Sequence, residues 1–216
     1  MRFDRRQFLV AGAGLATLTL VAGCDTPQVA TSGPNAAPMG EEAALTALIA
    51  GLGAGLGAGN TPGVDAEEAA RAAHIALSYP HVLAERYEIT DPPLVHNTKV
   101  NMGLRPRGLC HHWAQDMETR LAQENFQTLD LHRAIANADN PFRIEHSTVI
   151  ISRKGDTMFD GVVLDPWRNG GDLAWSMTRE DKEYRWQPRG EVFDYKRSRE
   201  AKRRELRQQV RAARDL

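Results

Sequence analysis

The sequence predicts an α+β domain in which helices pack against a small antiparallel sheet. Four apolar side chains repeat with helical spacing and predict a helix over residues 110–123. They are Leu109, Trp113, Met117 and Leu121. Residues 146–152 are rich in Val and Ile and predict a strand. Turn-forming residues at 154–156 and a second apolar run at 158–164 predict a return strand that pairs with it.

The N-terminal segment, residues 1–23, has the composition of an export signal. Three arginines precede an apolar stretch that ends in small residues before Cys24. Residues 5–9 (RRQFL) resemble a twin-arginine signal, and residues 20–24 (LVAGC) resemble a lipobox. Together these resemblances imply cleavage before Cys24, a lipid on that cysteine and a domain held on the periplasmic or extracytoplasmic side of a membrane. An uncleaved anchor helix is the alternative, although the apolar stretch is shorter than the about 20 residues that span a bilayer.

Residues 24–63 predict a flexible tether that follows the lipid-bearing cysteine. The first part is rich in Pro, Ser, Thr, Asn and Ala, without any period. Residues 41–50 could form a short helix, but residues 51–63 carry glycine at nearly every second position. A second membrane segment is not favoured here, because the apolar run is short and consists mainly of Gly and Ala.

The predicted catalytic domain covers residues 64–190. Asp65 is expected to cap a helix, with Glu68 completing a capping box. Pro80 is expected to end or kink that helix, because proline cannot donate the helical hydrogen bond. The proline pair at residues 92–93 predicts a loop.

Beyond the return strand, residues 168–171 predict a loop, residues 184–187 an edge strand and residues 191–216 a charged helix. A solvent-exposed helix is the favoured interpretation, and contact with anionic lipid headgroups is the alternative.

The whole chain is nearly neutral, with 27 Lys and Arg against 28 Asp and Glu, so its net charge gives no reason to expect a nucleic-acid partner.

Three short segments carry residue types that perform nucleophilic catalysis. They read GLCHHWA at residues 108–114, EHSTV at residues 145–149 and VLDPW at residues 163–167. A thiol nucleophile such as Cys110 needs a base such as His146, and the base needs a carboxylate such as Asp165 to orient it. A cysteine in the first turn of a helix is favoured as thiolate, and the free N–H groups there can hold an oxyanion. If Cys24 carries lipid, Cys110 is the remaining thiol and no internal disulfide can form.

These segments resemble the transglutaminase-like branch of the papain-like superfamily, and especially the bacterial transglutaminase-like cysteine peptidases. The family's pattern of Gly-x-Cys-x-x-aromatic-Ala at a helix start is matched around Cys110. Its strand-initial histidine is matched by His146, and its Asp-Pro pair is matched by Asp165 and Pro166. The resemblance covers about residues 105–167. It implies a Cys110 nucleophile, a His146 base, an orienting Asp165 and acyl transfer through a thioester.

The sequence departs from the family's pattern at His111 and His112, which directly follow the nucleophile, and no upstream oxyanion residue is recognisable. Cys110, His111, His112 and His146 are also residue types that bind metals. Adjacent helix residues point about 100° apart, so the two histidines cannot converge on one ion and no metal site is expected.

The expected function is therefore thiol-dependent acyl transfer, most simply hydrolysis of a peptide or amide bond in the cell envelope. The resemblance implies no cofactor, and the expected substrate is an envelope protein or a cell-wall peptide. The alternative is a catalytically inactive transglutaminase-like lipoprotein that serves in binding or assembly, in which Cys110 is a small buried residue and His146 a satisfied polar one. The sequence leaves the oligomeric state open.

Overall fold

The computed structural model describes residues 39–54 and 63–214. The predicted signal segment, Cys24 and most of the predicted tether lie outside the described residues. The described part contains five α-helices: α1 (Met39–Ala50), α2 (Ala66–Tyr87), α3 (Pro93–Asn101), α4 (Cys110–Ala122) and α5 (Arg189–Arg214). Its five strands are β1 (Leu129–Ala136), β2 (His146–Arg153), β3 (Val162–Asn169), β4 (Asp172–Met177) and β5 (Gln187–Pro188). The predicted α+β class is confirmed.

None of the helices in these described ranges is both long enough and apolar enough to cross a bilayer.

The strands form one antiparallel sheet in the order β4-β3-β2-β1-β5, with β2 at its centre. Seven of the eight residues of β2 are buried, as a strand covered on both faces requires. The return strand was predicted over 158–164 but begins at Val162, because Met158–Asp160 form a 3-10 turn that lengthens the connection.

The core lies where α1, α2 and α4 cover one face of the sheet. Trp113, Met117 and Leu121 of α4 are almost completely buried, which confirms the apolar stripe that predicted this helix. Leu45 and Ile49 of α1 are also fully buried and belong to the same core as α2. The folded domain therefore begins before residue 64, and the predicted tether over 24–63 does not extend through α1.

The start of α2 differs from the prediction in one respect. Asp65 caps the helix, because its Oδ1 accepts hydrogen bonds from the backbone N–H groups of Glu67 (3.0 Å) and Glu68 (2.9 Å). The predicted capping box is wrong. The Glu68 carboxylate instead accepts from the backbone N–H groups of Gln127 (2.6 Å) and Thr128 (2.8 Å), and it thereby ties α2 to the segment that enters β1.

Pro80 does not end α2, which continues as a helix to Tyr87. Proline inside a helix costs about 3 kcal/mol. One and two turns beyond it, Leu83 and Tyr87 are buried in a cluster with Trp113 and Trp167. Burying two large side chains gains about 2 kcal/mol each, which outweighs the cost of the proline.

Two further boundaries differ from the sequence prediction. The proline pair 92–93 does not mark a loop, since Pro93 is the first residue of α3, a position where the missing N–H has no helical partner anyway. The edge strand was predicted over 184–187, but β5 is Gln187–Pro188 and α5 starts directly after it.

Candidate active site

The turn that precedes α4 places Cys110 at the first position of that helix. Gly108 has a φ of 119°, and a Cβ on it would lie 2.4 Å from Nε2 of His96. The same Nε2 lies 2.8 Å from the Arg107 carbonyl oxygen, and the Trp113 indole N–H donates to the Gly108 carbonyl over 3.0 Å. Only glycine fits this close approach, so the start of α4 and the position of Cys110 are fixed by packing.

The structure accounts for the histidine pair that follows Cys110. His112 turns back along the helix, and its Nδ1 accepts the backbone N–H of Leu109 over 3.2 Å. Burial, together with the charges of His111 and Arg107, lowers the pKa of His112 to about 4, so the ring stays neutral and can accept. His112 is therefore a helix cap, while His111 lines the cleft described below.

The strands β2 and β3 bring the predicted base and carboxylate together. Val149 pairs with Leu164 across these strands, which sets Asp165 beside the first residues of β2. Nε2 of His146 lies 2.6 Å from Oδ2 of Asp165, and both side chains are buried. The two residues lie at one end of interior strands of the sheet and not on an edge strand.

The electrostatics of His146 follow from this pairing. Burial lowers the pKa of His146, but the charge and hydrogen bond of Asp165 oppose it, and the Cys110 side chain adds a further upward contribution. The result is a pKa of about 9. The site therefore stabilises the protonated form of His146.

Cys110 lies beside His146 and Asp165 and is the third predicted site residue. Its thiol donates to the Glu145 carbonyl, with Sγ 3.6 Å from the oxygen, and this carbonyl belongs to the residue directly before His146. Nδ1 of His146 is buried and has no hydrogen-bond partner among the described residues. Because Nε2 is held by Asp165, Nδ1 is the ring nitrogen left for the thiol. Helix α4 and strands β2 and β3 thus bring all three predicted site residues into one place.

Arg168 and Asp181 extend the charged network around Asp165. The sequence pattern did not predict this part of the network. Arg168 donates through Nε to Oδ2 of Asp165 (3.1 Å) and through Nη2 to Oδ2 of Asp181 (2.8 Å). Asp181 also accepts the indole N–H of Trp186 over 2.9 Å. The Arg168 guanidinium thus joins two buried carboxylates, and its position in a predicted loop gave no signal of this role.

An aromatic cage surrounds the imidazole of His146. The ring centroids of Trp167 and Tyr184 both lie 4.6 Å from that of His146, and the centroid of Trp186 lies at 5.4 Å. These rings keep water from the bond between His146 and Asp165 and hold the imidazole in one orientation. The sequence pattern assigned Trp167 no catalytic part and did not single out Tyr184 or Trp186.

A cleft of about 570 Å³ opens in front of Cys110. Helix α4 and strand β1 form two of its sides, and Arg189 and Phe193 of α5 form another. Lys196, one turn further along α5, makes an ion pair with the Glu145 side chain. The first turns of α5, which were predicted to belong to a surface helix, are therefore a wall of the cleft.

Within residues 39–54 and 63–214, no three His, Cys, Asp or Glu side chains gather in an arrangement that could hold a metal ion. Comparisons of this chain with protein-family models, with curated proteins and with solved structures find no match.

Proposed function

We propose that this protein is a cysteine-dependent acyl-transfer enzyme of transglutaminase-like, papain-like type that hydrolyses a peptide or amide bond. The observation that carries the proposal is the buried hydrogen bond between His146 and Asp165 beside the thiol of Cys110. A base oriented by a carboxylate next to a cysteine at a helix start is the arrangement that activates a thiol nucleophile.

In the first half of the reaction, Nδ1 of His146 takes the proton of Cys110, and the thiolate attacks the substrate carbonyl carbon. The backbone N–H groups of Cys110 and His111 have no helical partner at the first two positions of α4, so they are available to bind the oxyanion. The imidazolium then gives its proton to the leaving amine as the carbon–nitrogen bond breaks, and a thioester remains on Cys110.

In the second half, His146 takes a proton from a water molecule that attacks the thioester carbonyl. The carbon–sulfur bond breaks, the carboxylic acid leaves, and the proton returns to the sulfur of Cys110. Asp165 and Arg168 touch no reacting atom in this scheme. Asp165 orients the imidazole, and Arg168 holds Asp165 in place. No step requires a cofactor.

The proposed location is the cell envelope, with the domain anchored by lipid on Cys24. This part of the proposal is supported by the lipobox-like residues 20–24 and the preceding twin-arginine-like residues 5–9. The proposed substrates are accordingly an envelope protein or a cell-wall peptide.

The test is a comparison of envelope fractions from cells that carry wild-type protein, no protein or the Cys110→Ala variant. Profiling of protein N-termini and of cell-wall peptides detects hydrolysis of either class of substrate. We expect the products made by wild type to be missing in both other strains. Ser78→Ala is the matched control, because its hydroxyl bonds only the His74 carbonyl on the exposed side of α2. If Cys110→Ala restores the wild-type products, the inactive binding or assembly lipoprotein becomes the better account.

A further inference from the structure

Most of α5 projects away from the rest of the described protein. Val192 is its one buried residue, and residues 197–214 are all exposed. A helical segment of that length extends about 27 Å at 1.5 Å per residue. No described element packs against it, so its side chains are available to a ligand.

The projecting segment is strongly basic in a chain that is otherwise acidic. Residues 196–214 hold nine of the 27 Lys and Arg residues of the chain but only two of its 28 Asp and Glu residues. Arg203 and Arg207 form no ion pair with any described residue. A charge concentrated in this way attracts an anionic partner and is weakened by salt.

The basic side chains continue the same helix face that forms the wall of the cleft. Steps of three, four and seven residues keep side chains on one face of a helix, and six residues related by such steps define what we call the basic track. They are Arg189, Phe193, Lys196, Arg203, Arg207 and Arg211. The first two line the cleft, and Lys196 pairs with Glu145 beside the thiol. The one acidic residue on this face, Glu200, is already paired with Arg204.

The position of the track favours a ligand that also enters the cleft. The large exposed apolar side chains of α5 are Tyr195, Leu206 and Val210, which is a thin stripe for a helix that inserts into a lipid surface. The track, in contrast, leads directly from Cys110 outward. A polypeptide can occupy both places at once, whereas a membrane surface cannot enter the cleft.

We propose that the basic track binds an acidic segment of a polypeptide substrate and thereby delivers the neighbouring segment to Cys110. This inference rests on the proposed function and names the class of substrate: a protein or peptide that carries clustered Asp and Glu next to the bond that is cleaved. Arg189 and Phe193 contact the substrate where it enters the cleft, and Arg203, Arg207 and Arg211 hold its acidic segment.

The test measures binding without requiring catalysis. The full chain with Cys110→Ala is titrated against a fluorescein-labelled oligoglutamate peptide, and anisotropy gives the Kd. We expect binding that weakens with rising salt. Adding Arg207→Gln and Arg211→Gln should raise the Kd about tenfold, because each lost exposed ion pair weakens binding about threefold. The matched control is Lys202→Glu, which lowers the charge by the same two units at a position that no step of three, four or seven residues joins to the track. It should change the Kd less than about twofold.

Three results would overturn the proposal: no binding of oligoglutamate, equal weakening by the track substitutions and by the control, or no weakening by either. If oligoglutamate does not bind but Arg207→Gln with Arg211→Gln reduces binding to phosphatidylglycerol-containing vesicles, α5 is a membrane contact instead. Because Cys110→Ala removes the proposed nucleophile from every sample, none of these results depends on whether the enzyme is active. Loss of activity and loss of the acidic-peptide site are therefore distinguished.

Discussion

His146 and Asp165 are joined by a hydrogen bond of 2.6 Å in a part of the protein that is closed to water. The bond fixes one ring proton on Nε2, so Nδ1 is the nitrogen that can exchange a proton with the thiol of Cys110. The same oxygen, Oδ2 of Asp165, also accepts a hydrogen bond from Nε of Arg168 over 3.1 Å. Stability and proposed catalysis therefore depend on one network of charges.

The pairing predicts a specific dependence of stability on pH. The pKa of His146 is about 9 in the folded protein, above the ordinary value of 6.5, so the folded state binds this proton more tightly than the unfolded state. The resulting stabilisation is complete below about pH 6.5 and is lost as the pH rises through about 9. We expect the free energy of unfolding to fall by up to about 3 kcal/mol over that range.

Urea denaturation of wild type and His146→Gln at several pH values measures this effect. Subtracting the variant removes the contribution of other groups that titrate in the same range. Parallel pH profiles for the two proteins would show that His146 binds its proton no more tightly in the folded state.

Arg168 is predicted to contribute far more to the free energy of unfolding than an ordinary surface arginine does. Arg168→Gln leaves the buried carboxylate of Asp181 without a cation and leaves Asp165 with His146 alone. An unpaired buried charge costs about 3 to 5 kcal/mol. The matched control is Arg179→Gln. Arg179 bonds Asp160 over 3.0 Å, but its side chain is 65 % exposed, so we expect a loss below about 1 kcal/mol. Chemical denaturation of both variants makes the comparison, and similar losses would refute the bridging role.

Gly108→Ala is predicted to disturb the start of α4. Alanine at positive φ costs about 1 to 2 kcal/mol, and here its Cβ would also lie 2.4 Å from the His96 ring. Gly103→Ala is the control, because Gly103 has a φ of 74° but a Cβ added there would meet no other atom within 4 Å.

Thermal unfolding of the two variants separates backbone strain from the clash. We expect Gly108→Ala to be less stable than Gly103→Ala by about 1 to 3 kcal/mol, which is the usual cost of overpacking. The rate of Cys110 alkylation should also change in Gly108→Ala and stay close to wild type in Gly103→Ala. Equal stabilities would mean that His96 can move aside at no cost.

Local patterns predicted the elements that hold the three site residues. The stripe of α4 and the run of Val and Ile in β2 are visible within one window of sequence. One buried helix face imposes a helical period, and a strand buried on both faces favours a continuous apolar run. Strands β1 and β4 were missed, since buried and exposed residues do not alternate along them. The continuation of α2 past Pro80 was missed because it depends on Trp113 and Trp167, which are distant in the sequence.

The sequence predicted part of the candidate site, as it predicted part of the fold. Residue type, order and spacing pointed to Cys110, His146 and Asp165, which the fold brings together. Arg168, Asp181 and the aromatic cage could not be found in this way, because their contacts join segments that have no shared motif. The part played by α5 in the cleft depends on its angle to the sheet, which the sequence pattern does not determine.

The measurement that tests the central claim most directly is the rate of Cys110 alkylation by iodoacetamide as a function of pH. The Cys24→Ser background leaves Cys110 as the one thiol of the chain. We expect His146→Ala to slow alkylation at neutral pH by about tenfold or more, because the thiolate loses its partner, and Asp165→Asn to have a smaller effect in the same direction. Alkylation that is slow in wild type and indifferent to His146 would contradict an activated cysteine and the proposed acyl transfer with it.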